Sequence, residues 1–368
     1  MKHTFLKQLT LLAALLLTFT SYSQNNIKVL SYYSGNPASL DSFNINQMTH
    51  IIFCFGRLSG NQFKVRTARD TAVIQKMVSL KSKNPQLKVI MSLGGWGGCQ
   101  TCSDVFASRK GRRQFVQSVK ELHEYFGTDG LDLDWEYPTV SGFAGHKFSL
   151  GDKKHFTKLV KKLRKLDSKY ELSFAAGGSK RYLDSAVEWK KVMKKVDYVN
   201  LMSYDLVGAG SKTTGHHTAL YSTPEQQRSA DFALQYLTKL GIPTKKMVIG
   251  GAFYGKIFEE VDSTNNGLYM PGKFKGSVFY KNIPRQVSAD SGFVYHWDDV
   301  AKAPFMYNPV KRQFYTYDDK HSIELKTKYV IDHNMGGIMF WHLGEDTFTD
   351  GLLDTIDGVK KTYKSVAK

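Results

Sequence analysis

The chain has 368 residues, 42% of them hydrophobic and 23% charged, with 51 Lys and Arg against 33 Asp and Glu for a formal net charge of +18. That mixture can bury a large core and lies far from the composition of a disordered chain. The basic surplus is concentrated in lysine-rich segments at 153–169 and 190–195. No nucleic-acid motif accompanies it, so the expectation is a solvated basic surface, with at most weak attraction to anionic cell walls, and no nucleic-acid partner.

Residues 1–23 read as a secretory signal. Lys2 and Lys7 supply positive charge, Leu11 to Phe19 form a short apolar run, and Ser21-Tyr22-Ser23 offers small residues for cleavage. The run is too short for a comfortable span, and no later segment approaches the ~20 apolar residues that one needs. An exported, soluble monomer without an integral membrane segment is expected.

From residue 24 onward, short apolar runs alternate with helical patterns. Ile27–Tyr33, Met48–Phe55, Lys88–Leu93 and Gly130–Glu136 read as strands, as do Glu171–Ala176, Tyr198–Tyr204, Met247–Phe253 and Gly337–His342. Most are apolar on both faces, which suits parallel strands covered by helices. Phe115, Val119, Leu122 and Phe126 share one helical face, and Phe156, Leu159, Val160 and Leu163 another. Thr223, Pro224 and Gln226 look like a capped helix start, with Gly241 at its end. Alternation repeated about eight times predicts an α/β fold, a TIM (β/α)8 barrel. An open doubly wound sheet is the alternative, but no glycine-rich phosphate fingerprint follows the first strand.

One stretch interrupts the rhythm. Between Gly255 and His321 the chain turns Tyr/Phe-rich and turn-rich, too long for a structureless loop. The expected layout is a barrel over 24–255 and 321–368, with a small α+β insertion at 256–320 between strands 7 and 8. Of three cysteines, Cys54 sits in an apolar run as a buried thiol, and Cys99 and Cys102 form a CxxC compatible with a local disulfide. A zinc site would want a second ligand pair, which is not evident. His216 and His217 are neighbours and make a poor chelate, so neither metal nor cofactor is expected.

The most informative segment is DGLDLDWEYP, 129–138. In an extended strand Asp132, Asp134 and Glu136 face one way, and Leu131, Leu133 and Trp135 the other. With the apolar set packed under the helices, three carboxyls converge near the C-terminal mouth of the barrel. Like charges so close must share protons and push at least one pKa upward, and Glu136 at the end of the row would then be a general acid at neutral pH. Asp129 has the opposite parity and is expected to be structural.

The DxxDxDxE pattern, completed by Trp135, Tyr137 and Pro138, resembles the signature of family-18 glycoside hydrolases, the chitinase family. Ser92-Leu93-Gly94-Gly95-Trp96 is similar to that family's SxGG segment, and Met202-Ser203-Tyr204-Asp205 to its MxYD segment. Trp341 lies where the family places a tryptophan on the last strand, and 315–319 with Ser322, Ile323 and Lys326 resembles the approach to it. The resemblance implies hydrolysis of β-1,4 bonds between N-acetylglucosamine units, with the substrate's acetamido group as nucleophile, an exception to the two-carboxylate scheme. It implies Glu136 as acid and base, Asp134 orienting the acetamide, Asp132 exchanging a proton with Asp134, and Tyr204 bonding the acetamide oxygen. Tyr32 and Ser92 would hold Asp132, Trp341 would floor the sugar site, and Trp96, Tyr137, Met202 and Asp205 would be further substrate contacts. Lys256 stands where relatives commonly carry Arg. Two other functions are consistent with the sequence: an endo-β-N-acetylglucosaminidase acting on glycans or peptidoglycan, and a non-catalytic chitin-binding lectin.

Overall fold

The computed structural model describes residues 27–364; the expected signal at 1–23 lies outside the described residues. Fourteen strands are described. They run β1 (Lys28–Tyr33), β2 (His50–Ser59), β3 (Gln62–Lys64), β4 (Lys88–Gly94), β5 (Gly130–Asp134), β6 (Glu171–Gly177), β7 (Tyr198–Met202) and β8 (Met247–Ala252). After them come β9 (Tyr254–Glu259), β10 (Lys273–Phe279), β11 (Val294–Asp298), β12 (Ala303–Asn308), β13 (Gln313–Thr316) and β14 (Gly337–Trp341). The parallel order β1-β14-β8-β7-β6-β5-β4-β2 returns to β1 through the β1–β2 pairing, closing an eight-stranded barrel. The short β3 only extends β2 as a hairpin.

The strand period decides which side chains fill the barrel. Leu30, Tyr32, Ile52, Cys54, Ile90, Tyr198, Val248 and Met339 cluster inside it. The alternate residues of the strands, among them Val29, Ile51, Val89, Leu131, Leu133, Val199, Ile249 and Ile338, join the larger core under the helices. Both faces are therefore apolar, the mark of parallel strands. Trp135 follows the outward set, packing against Phe106 and Phe156 at ring separations of 5.5 and 6.3 Å. Truncating such a buried ring costs about 3–5 kcal/mol.

The helices supply the other half of that core. Arg109–Phe126 buries Phe115, Val119 and Phe126, is capped by Ser108 accepting from Gly111 N, and stops at Gly127 in the left-handed region at φ 69°. Asp152–Leu163 buries Phe156, Leu159, Val160 and Leu163. The helix expected to start at Thr223 begins instead at Ala230, capped by Ser229. Thr223 Oγ1 does accept from Gln226 N at 3.0 Å, but as a tight turn. The Gln226 amide holds the His216 backbone through bonds of 2.9 and 2.8 Å rather than completing a capping box.

Strands β9 to β13 form a separate antiparallel sheet in the order β10-β9-β13-β12-β11, inserted between the seventh and eighth barrel strands. Where the chain re-enters the barrel, Lys326 Nζ lies 2.8 and 2.7 Å from the two oxygens of Asp318, both side chains fully buried. Asp318 also accepts from Ala252 N at the end of β8, Thr218 and Ser322. A buried charge is tolerable only with such complete pairing. Cys99 and Cys102 are disulfide-bonded and Cys54 is a buried free thiol. Among the described residues no helix is long and apolar enough to cross a membrane.

Candidate active site

Strand register brings polar groups to the centre of the barrel. Asp132 stands opposite Ser92 of β4 and Ser173 of β6. Ser92 donates to Asp132 Oδ2 at 2.9 Å and Ser173 to Oδ1 at 2.7 Å. Tyr32 donates to Oδ2 at 3.1 Å, and Asn200 donates both to Oδ1 at 3.3 Å and to the Tyr32 hydroxyl at 2.9 Å. Burial pushes the Asp132 carboxyl up, and these four donors pull it back. Tyr32 and Ser92 were legible as partners of Asp132. Ser173 and Asn200 were not, although Asn200 is an amide between apolar residues in its strand and Ser173 shares a strand face with Glu171. Among the described residues no hydrogen bond links Asp132 directly to Asp134, and both Asp132 oxygens accept from these other groups.

Asp134 and Glu136 continue the row toward the mouth. The strand ends at Asp134 rather than Glu136, and Glu136 lies on the bend beyond it. Burial, then the charges of Glu136 and Asp132, raise Asp134 well above the ordinary carboxylate range, with Arg57 opposing. Its Oδ1 is buried without a hydrogen-bond partner among the described residues. Burial raises Glu136 to about 7, the Tyr137 hydroxyl pulling the other way and Asp205 adding to the rise. An inward-facing acid that holds its proton at neutral pH can serve as a general acid.

The walls are aromatic. Trp341, at the end of β14, stacks on Phe55 at 5.5 Å and 12° and sits 6.0 Å from the Tyr32 ring. Phe55 went unnoticed in the sequence because it reads as one more apolar strand residue. Gly95, at φ 73°, leaves room for it: a Cβ there would fall 2.4 Å from the Phe55 ring. Gly94, at φ 111°, lets the loop lie against β5, and its missing Cβ would meet Asp134 O at 2.1 Å. Arg57, also missed, donates to Gly94 O and lies over Phe55.

Tyr204 follows β7, and its ring takes the space over Gly250, where a Cβ would come within 2.7 Å. Met202 is half-buried against the inner cluster. Asp205 is half-exposed. Burial would raise its carboxyl, but His217 and Lys256 bring it well below the ordinary range. Lys256 Nζ lies 2.8 Å from Asp205 Oδ1, and the Tyr254 hydroxyl donates to the same oxygen. Tyr137 packs edge-on against Tyr182 at 5.3 Å. Trp96 stands apart on the rim, 59% exposed, edge-on to Phe143. His216 and His217 are buried; His216 meets Asp298 at 2.9 Å and His217 meets Tyr254 O at 3.1 Å. Asp129 pairs with Lys81 at 2.9 Å and accepts from Val89 N, outside the row. Among the described residues no group of three or more His, Cys, Asp or Glu could hold a metal ion.

A closed (β/α)8 barrel that buries carboxyls of raised pKa at its mouth is the framework of a glycoside hydrolase. The family model of glycosyl hydrolases family 18 matches residues 19–346, and the chain belongs to that family. Chitinase A1 of Niallia circulans is 33% identical over 298 residues, which are 74% of this chain but only 42% of that protein. Chitotriosidase-1 of Mus musculus is 29% identical over 361 residues, covering 91% of this chain and 74% of its own. Among solved structures, a family 18 N-acetylglucosaminidase from Paenibacillus barengoltzii superposes with a TM-score of 0.82 at 31% identity, covering 90% of this chain and 99% of that one. The Ostrinia furnacalis group IV chitinase in complex with allosamidin gives 0.82 at 26% identity, with 90% and 98% covered.

Proposed function

We propose that this chain is a chitinase that hydrolyses β-1,4 bonds between N-acetylglucosamine units by substrate-assisted retention. The observation that carries the reading is Asp134 Oδ1, an acceptor buried without a partner among the described residues, in the same carboxyl row as Glu136, which burial raises to about 7. A buried polar group left unpaired is costly, and a substrate amide N–H would satisfy it.

In this mechanism Glu136 gives its proton to the bridging oxygen as the glycosidic bond breaks. The acetamido carbonyl oxygen attacks the anomeric carbon from the other face and closes an oxazolinium ring. Asp134 Oδ1 accepts the amide N–H and so orients the acetamide as positive charge develops on it. Tyr204 donates to the acetamido oxygen, and Trp341 supplies the apolar floor. Glu136, now ionised, takes a proton from water as that water opens the ring, which restores the acid and leaves the configuration retained.

The proposal treats 24–255 and 321–368 as one catalytic unit, with 256–320 as a wall of its groove, acting as a monomer after export and removal of 1–23. Chitinases among the relatives favour chitin or chitooligosaccharides as substrate. The second reading is an endo-β-N-acetylglucosaminidase on glycans or peptidoglycan, and the likeness to the Paenibacillus N-acetylglucosaminidase keeps it in play. The intact acid row counts against a lectin, which has no use for a buried carboxyl held protonated.

The test is Glu136→Gln assayed on chitooligosaccharides. Turnover should fall by about 100- to 10,000-fold while oligosaccharide affinity changes only a few-fold. Near-normal turnover would overturn the proposal, and a panel of chitin, peptidoglycan and N-glycans separates the two substrate classes.

A further inference from the structure

We propose that the flank of the barrel built from residues 152–197 is a docking face for an anionic lipid surface. The charge of the chain is lopsided. Residues 152–197 hold fourteen Lys and Arg against six Asp and Glu, whereas residues 198–364 hold nineteen against eighteen. A neutral polysaccharide substrate gives no reason for that surplus.

Its arrangement is ordered. Lys154, Lys158, Lys161 and Lys165 are all exposed and recur at helical spacing along Asp152–Leu163 and its continuation, opposite the buried face of that helix. Like charges three and four residues apart oppose helix formation, so the stripe does not serve the fold. The acids of the segment are engaged elsewhere: Asp197 by Arg164, Asp184 by Lys180, Glu188 by Lys191, Glu171 by His50 and Asp152 by Ser103. Asp167 accepts from the backbone of Lys169. Among the described residues no ion pair neutralises the stripe. A second exposed group, Lys190, Lys194 and Lys195, adjoins it, because Arg164 Nε donates to Lys195 O at 2.6 Å.

Topology fixes where this face points. The chain passes from Lys165 into β6 at Glu171, and from Lys195 into β7 at Tyr198. Much of the cluster therefore lies toward the N-terminal ends of the strands, away from the mouth that holds Glu136. A surface bound there leaves the cleft open.

The chemistry selects the partner. Twelve of the fourteen cations are Lys, strongly hydrated point charges rather than planar forks. The large exposed hydrophobic side chains all lie outside 152–197, the nearest being Phe148 and Leu150 just before the first turn of the helix, at its end nearer the mouth. The face thus lacks the rings on which bases stack and has no apolar side chain to insert. An array of lysines acting through charge alone suits a plane of anionic headgroups, where each Lys adds to the attraction.

The experiment is cosedimentation of the full chain with vesicles of phosphatidylglycerol and phosphatidylcholine, against pure phosphatidylcholine, at low and high salt. Binding to the anionic vesicles alone, lost at high salt, is expected. Lys158→Gln, Lys161→Gln, Lys165→Gln and Lys194→Gln together should weaken it by about tenfold or more while leaving chitooligosaccharide hydrolysis and thermal stability unchanged. The same four-charge change at Lys273, Lys275, Lys311 and Lys320 should weaken it far less. Failure of the wild-type chain to bind, equal loss from both quadruple variants, or tighter binding to heparin or DNA than to the vesicles would each overturn the proposal.

Discussion

Among the described residues the Tyr204 hydroxyl finds only Met339 Sδ, at 3.8 Å, as a hydrogen-bond partner, although the ring is wedged over Gly250. Sulfur is a weak acceptor, so the hydroxyl is held in place by ring packing and left free for a ligand. Tyr204→Phe should therefore fold normally, with an unchanged melting temperature. Its kcat should fall by about 100-fold, the usual effect of removing one pre-organised donor to developing charge, with little change in KM. A loss confined to KM would show that the hydroxyl does not act in the transition state.

Asp134 separates activity from stability. Burial and the neighbouring carboxyls raise its pKa, so the folded protein holds that proton more tightly than the unfolded chain does. Stability is then full below the unfolded value near 4 and declines as pH rises toward the folded value. Asp134→Asn removes this penalty. At pH 7 the variant should be more stable than the parent, measured by denaturant unfolding, while hydrolysis slows by orders of magnitude. A destabilised Asn variant would contradict this electrostatic account.

The pH profile follows from Glu136. As an acid raised to about 7, it must be protonated to act, so kcat/KM should hold below that pH and fall above it. Rates on a soluble chitooligosaccharide across pH 5–9 would check this. A decline centred near the ordinary carboxylate value would mean that burial does not tune the acid.

The Lys326–Asp318 pair anchors the return from the inserted sheet. Lys326→Met leaves a buried carboxylate without its partner and should cost about 3–5 kcal/mol, read as a lower denaturant midpoint. An unchanged midpoint would mean that the hydrogen bonds from Ala252, Thr218 and Ser322 hold Asp318 unaided.

Much of this molecule could be read directly from its residues, because the barrel rests on local periods. Each of the eight barrel strands was expected within a few residues of where it lies, and the alternation of Asp132, Asp134 and Glu136 with Leu131, Leu133 and Trp135 separated inside from outside. What escaped depends on contacts between strands. Ser173 and Asn200 reach Asp132 only through the register of β5, β6 and β7, which no single strand encodes. Phe55 and Arg57 gain their meaning from the glycine turn after β4. Thr223 and Gln226 misled because a short-range capping pattern also suits a turn, and the partner that decided between them was the backbone of His216, ten residues upstream.

The central claim is that the glycosidic bond is cleaved with net retention at the anomeric carbon while Glu136 donates and then recovers a proton. Proton NMR of the first product released from a chitooligosaccharide, recorded before mutarotation, tests it most directly. The account predicts the β-anomer; initial release of the α-anomer would contradict it.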